Sequence, residues 1–313
     1  DSVLKRSTGR NHFFKNLIRY RTLLLMLLPS AVLLIIFSYL PMGGLVLAFK
    51  RFNYADGIFG SPWVGLSNFE FFFSSGKAWT VTKNTALYNL AFIAINTALE
   101  IFFAIVLSEM AGKWLKKITQ SIIFLPYFIS WVIVGSIAYS LLSYETGTLN
   151  GALRSMGIDP INFYGEDGWW PFIIVAFSAW KGVGYGMVVY LASILGVDSS
   201  LHEAAAIDGA NIFQRIRYIT LPGILPTTIT LTLLALGKIF RGNLDLFYQL
   251  VGQNGALFDK TDVIDTYVFR MTISSTDVGQ TVAIGFYQSG LCFITILIAN
   301  WIVRKKDENY ALF

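Results

Sequence analysis

Asp198-Ser-Ser-Leu-His-Glu-Ala-Ala-Ala-Ile-Asp-Gly-Ala-Asn-Ile-Phe-Gln-Arg-Ile-Arg-Tyr-Ile-Thr-Leu-Pro222 is the stretch from which the rest of the chain can be read. Asp198 or Ser199 can cap a helix by accepting from the unpaired amides of its first turn. Glu203 lies early in that helix, where a carboxylate suits the positive end of the backbone dipole. Ala204, Ala205 and Ala206 form helix well and add almost no bulk. Gly209 lets the chain turn at the helix end without a Cβ clash. Phe213, Ile216 and Ile219 give the following segment an apolar face, and Pro222 stands near the start of the next apolar run. The result is a short rigid helix with a surface of small side chains. Residue chemistry alone leaves two roles open for it: close entry into a groove on a partner, or an amphipathic loop lying on a membrane.

Both flanks are apolar. Of 313 residues, 55% are hydrophobic and 14% charged, and the mean hydropathy is +0.58. A soluble domain carries roughly a quarter charged residues, so a lipid bilayer is the expected main solvent. Six apolar runs each approach the ~20 residues that cross a bilayer core: 22–49 (with Pro29 and Pro41 inside), 84–110, 118–142, 171–197, 219–240 and 282–303. The first follows a basic stretch from Lys5 to Arg21. It is too long for a signal-peptide core and lacks a small-residue cleavage site, so it reads as a retained span. Cys292, the single cysteine, lies inside the last run and reads as a packed thiol; no disulfide or cysteine metal site can be built within the chain. His12 and His202 are too few and too far apart for a metal site. Between Gly147 and Gly157, Leu149, Leu153 and Met156 share a face, which predicts a short external helix. There is no internal repeat of solenoid period.

Charge sets the orientation. If both termini are cytoplasmic, the cytoplasmic segments hold Lys5, Arg6, Arg10, Lys15, Arg19, Arg21, Lys113, Lys116, Lys117, Arg215, Arg217, Arg304, Lys305 and Lys306. That is about fourteen basic residues against roughly eight outside, the bias expected of cytoplasmic loops. The same bias accounts for the net charge of +5 without nucleic acid as a partner. The external loops, 50–83, 143–170 and 241–281, carry most of the acids, and Asp259 to Asp265 reads as a solvated external face.

In this setting the stretch at 198–222 resembles the EAA loop of binding-protein-dependent ABC importer permeases. It has Glu203-Ala204-Ala205, then Asp208-Gly209-Ala210, then Ile219-Thr-Leu221-Pro222, in the family's order and spacing. Other segments resemble the permeases for complex oligosaccharides and polysaccharides: Gly57-Ile-Phe-Gly-Ser-Pro-Trp-Val-Gly-Leu-Ser-Asn-Phe69, Trp180-Lys-Gly-Val-Gly184, Asn300-Trp301-Ile-Val-Arg304 and Tyr310-Ala-Leu-Phe313. The resemblance implies an all-α, integral membrane bundle of six transmembrane helices, a type I ABC importer-like permease of the bacterial cytoplasmic (inner) membrane. It would comprise a basic cytoplasmic segment 1–21, a permease domain 22–303 with its cytoplasmic loop 198–222, and a cytoplasmic tail 304–313. It also implies partners: a second, homologous permease in a heterodimer, an ATPase dimer, and an extracytoplasmic binding protein that delivers an oligosaccharide. Glu203, Ala204, Ala205, Asp208 and Gly209 are then the residues that couple to the ATPase. The chain has no Gly-x-x-x-x-Gly-Lys-Ser/Thr loop, so ATP and its Mg belong to separate subunits, no cofactor is expected here and the chain itself is not an enzyme.

Ionisable residues inside spans are costly and usually face a bundle interior or a watery cavity. Glu100, Lys181 and Lys238 fit that class. Asn89, Asn96 and Glu100 share one helical face, as do Ser178, Lys181 and Tyr185. Trp180 and Tyr185 offer ring faces for sugars, so Trp180, Lys181, Tyr185, Glu100 and Lys238 form the predicted substrate path. The plainer alternative is that Glu100 pairs with a lysine and that the aromatics only pack. Gly182 and Gly186 form a small-xxx-small pair suited to close helix packing. Two rivals from other classes remain. An ion-gradient-driven secondary transporter would show paired repeats with broken helices, and a membrane enzyme would need a cluster of nucleophiles, carboxylates or histidines at the membrane edge.

Overall fold

The computed structural model describes residues 19–274 and 277–312, and these are helical apart from turns and one isolated antiparallel bridge between Lys50 and Trp63. Lys5 to Lys15, His12 and Phe313 lie outside the described residues. The main helices are α1 (Arg21–Leu34), α2 (Ser67–Ser74), α3 (Lys77–Glu109), α4 (Lys113–Phe124), α5 (Trp131–Leu142), α6 (Thr148–Ser155), α7 (Trp170–Leu195), α8 (Ser199–Ile207), α9 (Leu225–Leu236), α10 (Leu244–Val251), α11 (Ile264–Ser274) and α12 (Val278–Lys306). Among the described residues, four helical segments are long and apolar enough to cross a membrane, and six if each of two bent pairs counts as one crossing.

Those bent pairs are the third and fifth runs, which the sequence presents as single spans. α4 continues as a 3-10 turn over Leu125–Phe128 and meets α5 at 96°. The helical stretch Ile212–Gly223 meets α9 at 54°. Pro226 sits in the first turn of α9, and Pro126 starts the 3-10 turn that leads into the first bend. A proline has no amide hydrogen to give, so it starts a helix readily and continues one poorly. Pro41 and Pro222 leave a related mark: a π turn precedes each, at Ile35–Tyr39 and Ile216–Thr220. There the helix widens where the ladder of i to i−4 bonds is interrupted.

α3 and α7 form the central pair. At one end, Ala104 and Leu107 of α3 pack with Met187, Tyr190, Leu191 and Ile194 of α7 and with Ile224. At the other, Tyr88, Trp170 and Ile174 join Leu246, Phe247, Leu250 and Val251 of α10. In lipid such contacts stabilise by close packing rather than by removal from water. At Gly184 the approach is close: a Cβ there would overlap the backbone of Ile123 and Phe124, so its lack of a side chain lets α7 lie directly on α4. The first crossing is different. No residue of α1 is buried, and the chain joins the bundle only in the following segment, Leu40–Phe49, which packs on α12.

The loops that the sequence marks as external are largely structured. The Gly57 to Phe69 segment closes the first crossing: the Asn68 amide donates to the carbonyls of Leu47 (3.4 Å), Ala48 (2.9 Å) and Lys50 (3.0 Å). This absorbs helix-end carbonyls that would otherwise be orphaned. The predicted short helix is present as α6, but its buried residue is Asn150, which bonds Ser143 and Ile161, while Met156 stays exposed. The acids from Asp259 to Asp265 are not uniformly solvated, which corrects that expectation. Asp259 is exposed, but Asp262 is buried and accepts from Arg270 and Thr266. Asp265 accepts from the Gly242 amide and from Gln288. Burial pushes the Asp265 carboxyl above its ordinary range, while these donors and nearby Arg241 pull it back.

Candidate functional site

Two features carry the chemistry: the loop between α7 and α9, and a cleft on the flank of the α3–α7 pair.

The loop starts on Asp198, whose carboxylate accepts from the Ser200 amide at 2.9 Å and caps α8. That bond holds the Asp198 carboxyl below its usual range. α8 ends with Gly209 at φ +80°, in the left-handed region where a Cβ is strained. The Gly209 amide donates to Ala206 (3.1 Å) and the Ala210 amide to Ala205 (2.9 Å), the paired bonds of a Schellman stop. Asn211 and Gln214 then cap each other's turn reciprocally, at 3.0 and 2.8 Å, to start the next short helix. Both ends of α8 and the start of the next short helix are therefore satisfied locally. The neck is tight: a Cβ on Gly223 would fall within 2.7 Å of the Val197 side chain. Outside the neck the loop is open to its surroundings. α8 buries no residue, Glu203, Ala204, Asp208 and Gly209 are exposed, and Ala205 is half-buried. Ile207 is 87% and Phe213 79% exposed, an apolar pair beside the small-residue surface that the sequence marked. Phe213 was read from sequence as part of an apolar face, and the structure turns it outward.

The cleft, about 780 Å³, is lined among others by Asn89, Asn96 and Glu100 of α3, Ser178 and Tyr185 of α7, and Lys238 and Arg241 beyond α9. Its wall is mixed: apolar side chains such as Phe92, Ile93, Val189 and Leu231 alternate with these polar groups, the combination with which a pocket can take both the ring faces and the hydroxyls of a sugar. Three of the predicted path residues thus meet: Glu100, Tyr185 and Lys238. Among the described residues no ion pair holds Glu100, Lys238 or Arg241, so the proposed pairing of Glu100 with a lysine is absent. The charges are spread along the cleft. The Asn89 amide bonds the Arg241 carbonyl at 3.2 Å, placing Arg241 at that level of α3. Glu100 lies eleven residues further along the same helix, about 16 Å at 1.5 Å per residue.

Gly186 makes room for Glu100. A Cβ at Gly186 would overlap the Glu100 carboxylate, and one at Gly182 would touch the Asn96 amide at 3.9 Å. The pair Gly182 and Gly186 therefore accommodates polar side chains of α3, and the backbone-to-backbone approach expected of it belongs to Gly184 instead. Asn96 leaves its side-chain oxygen buried and unbonded beside the same cleft.

Two predicted path residues stand elsewhere. Lys181 is buried and donates to the Tyr127 carbonyl at 2.7 Å, with its ammonium 5.4 Å from the Tyr127 ring and 5.3 Å from that of Trp131. It splints the break between α4 and α5, where the chain's own amides no longer reach that carbonyl. Trp180 lines a separate apolar hollow with Ile137, Leu141, Ala176 and Phe177. Helical spacing put Ser178, Lys181 and Tyr185 on one side but could not show that the break between α4 and α5 meets α7 at Lys181. Sequence reading in turn missed Arg241, Asn243 and Asp245, which it left in an external loop; their spacing just past the fifth run was the available signal.

Residues 100–308 match the family of binding-protein-dependent transport system inner membrane components. The chain is 31% identical, over 99% of its length and 96% of the relative's, to the polygalacturonan/rhamnogalacturonan transport system permease protein YteP of Bacillus subtilis (strain 168). A chain of a bacterial ABC transporter involved in the import of the acidic polysaccharide alginate superposes with a TM-score of 0.85 at 32% identity, covering 94% of this chain and 99% of that one. A chain of a bacterial alginate ABC transporter in complex with alginate pentasaccharide-bound periplasmic protein gives 0.84 at 31% identity, covering 93% and 97%. The chain with the capped, exposed loop and the cleft beside α3 and α7 therefore belongs to the inner membrane components of binding-protein-dependent transport systems.

Proposed function

We propose that this permease forms half of the path of an ATP-driven importer for oligosaccharides of acidic polysaccharides, handed over by an external binding protein. The observation that carries the substrate class is the cleft, whose lining includes Lys238 and Arg241; among the described residues neither is within ion-pair distance of an acid, although Arg241 lies near enough to Asp265 to favour its charged form. A carboxylate in a low-dielectric path is strongly stabilised by such cations. The named substrates of the relatives, polygalacturonan and alginate, point the same way. Tyr185, stacked on Tyr127 with ring centres 5.0 Å apart, offers a braced face for a sugar ring. Glu100 accepts sugar hydroxyls at the far level of the cleft.

Loop 198–222 faces the cytoplasm and docks on an ATPase subunit, which binds the ATP and Mg. Glu203 and Asp208 make the polar contacts, Ala204 and Ala205 permit close approach, and Gly209 sets the turn. Both termini are cytoplasmic in this reading, the orientation that the bias of basic residues favours. A second, similar permease completes the path, and it or lipid covers the unburied α1.

The test is purification of the tagged chain from its native membrane in mild detergent, followed by reconstitution and uptake of labelled uronic-acid oligomers and of neutral oligomers of equal length. Co-purification of an ATPase and a second permease is expected, with ATP-dependent uptake that favours the uronates. A chain recovered alone, or uptake abolished by ionophores while ATP is present, would return the ion-gradient transporter to the front. Equal uptake of neutral oligomers would remove the acidic substrate class and keep the importer.

A further inference from the structure

α3 ends on Glu109 with no basic residue in its last turn. An acid there faces the negative end of the helix dipole and needs a cation to answer it. That cation comes from the loop: Arg215 Nη2 lies 3.7 Å from a Glu109 carboxylate oxygen, and each side chain is 26% exposed. The separation is too long for a hydrogen bond, so the contact is Coulombic with room to tighten. Arg215 also keeps its Nε buried and unbonded. Five residues on, the buried Thr220 hydroxyl has no partner either. The polar groups on this side of the loop are thus incompletely satisfied, in contrast to the saturated ends of α8.

The remaining attachments of the loop are apolar. Its neck closes where Val197 meets Gly223, and Ile224 is buried against α3 and α7. Among the described residues, no other ion pair joins 198–222 to a span. Glu109 belongs to the helix that presents Asn89, Asn96 and Glu100 to the cleft. Glu100 is nine residues away on one unbroken helix, about 13 Å.

We propose that Arg215 and Glu109 form an ionic strut that carries displacement of the docking loop to α3 and thereby to the substrate cleft. They are positioning residues and touch neither sugar nor nucleotide. The strut rests on the reading of 198–222 as the ATPase-docking element. It differs in kind from the docking residues of α8: those decide whether the ATPase is held, whereas the strut decides whether its motion reaches the path.

The experiment uses the complete complex in proteoliposomes with its binding protein and an oligouronate. It compares wild type, Glu109→Gln, Arg215→Gln, the double glutamine variant and the reversed pair Glu109→Arg/Arg215→Glu. Readouts are the amount of ATPase retained, the melting temperature and the sugar transported per ATP hydrolysed. Each single variant is expected to retain the ATPase and to lower sugar per ATP about fivefold, the low end of a typical coupling between sites. The double variant should be no worse than either single, and the reversed pair should recover most of the ratio. Unchanged sugar per ATP in both single variants overturns the strut, as do single effects that multiply in the double. A fall in melting temperature with the ratio intact also overturns it, leaving Glu109 and Arg215 as a local cap. Should a glutamine variant fail to assemble, Arg215→Lys and the reversed pair carry the test. Coupling kept by both supports the strut, and coupling lost in an assembled reversed pair overturns it. If wild type itself retains no ATPase, the docking reading falls and the strut with it; if wild type retains the ATPase, failure belongs to the strut alone.

Discussion

In the loop, the five proposed docking residues fall within seven positions of one another, none is buried, and both ends of α8 are satisfied by neighbours in sequence. The cleft is assembled from α3, α7 and the segment beyond α9, and its shape depends on where side chains are missing as much as on where they stand. A contiguous device is held by local hydrogen bonds and can be damaged without disturbing the bundle. A composite one inherits every error in helix placement, because interfaces in lipid depend on small residues and close backbone approach.

The largest separation between the two regions should come at two glycines of α7 that lie two positions apart. Gly184→Ala drives a methyl into the backbone of Ile123 and Phe124, which cannot rotate away. A cost of about 3 kcal/mol is expected, the upper part of the overpacking range, with poor recovery of folded protein from membranes. Gly186→Ala meets only the end of the Glu100 side chain, which can swing. That variant should be recovered at near wild-type yield and melting temperature, yet transport less, since the displaced carboxylate would occupy the cleft. Fluorescence-detected size exclusion separates the two. Equal yields for both would mean that α4 and α7 are not held by that contact.

How much of this was legible follows from where each signal lives. The caps, the glycine stop and the small-residue run of 198–222 are chemistry of consecutive residues, so sequence sufficed for them. The straight spans α3, α7 and α12 were legible from length and hydropathy. The third and fifth spans were legible as apolar but not as broken, because Pro126 and Pro226 can kink a helix or begin a new one and hydropathy does not distinguish these. The first of those breaks recruited Lys181 as a splint, while Arg241 and Asn243 reach the cleft from the turn beyond the other end of α9. Glu100 and Tyr185 line one cleft, as their helical spacing allowed, but the stacking of Tyr185 on Tyr127 of the broken span could not be read from spacing.

Lys181 sharpens the same contrast at a smaller scale. As a path residue it would favour acidic over neutral sugars, and its loss would show that bias. As the donor to the Tyr127 carbonyl, between two aromatic rings, it acts on the fold. Lys181→Met leaves that carbonyl unanswered and is expected to cost about 2 kcal/mol, typical of a hydrogen bond from a charged group. Uptake of acidic and neutral oligomers should fall by the same factor, in step with the amount of folded protein. A selective loss of acidic uptake at wild-type stability would put Lys181 back in the path.

Gly209 tests the loop with the least disturbance elsewhere. Its φ of +80° and the open space around its Cα mean that Gly209→Ala pays only a backbone penalty, with no clash. That penalty is about 1 kcal/mol, the cost of placing an L-residue in the left-handed region. It falls on the Schellman bonds from Gly209 to Ala206 and from Ala210 to Ala205. The penalty therefore frays the last turn of α8 and leaves the spans alone, because no residue of α8 is buried against them. Hydrogen exchange should quicken at about fivefold for residues 205–210, as 1 kcal/mol of local opening requires, while amides of α3 and α7 keep wild-type protection. Less ATPase should co-purify. If protection fell across α3 and α7 as well, the loop would be part of the bundle's cooperative unit, and the division between a local device and a composite one would fail at the place where it is drawn most sharply.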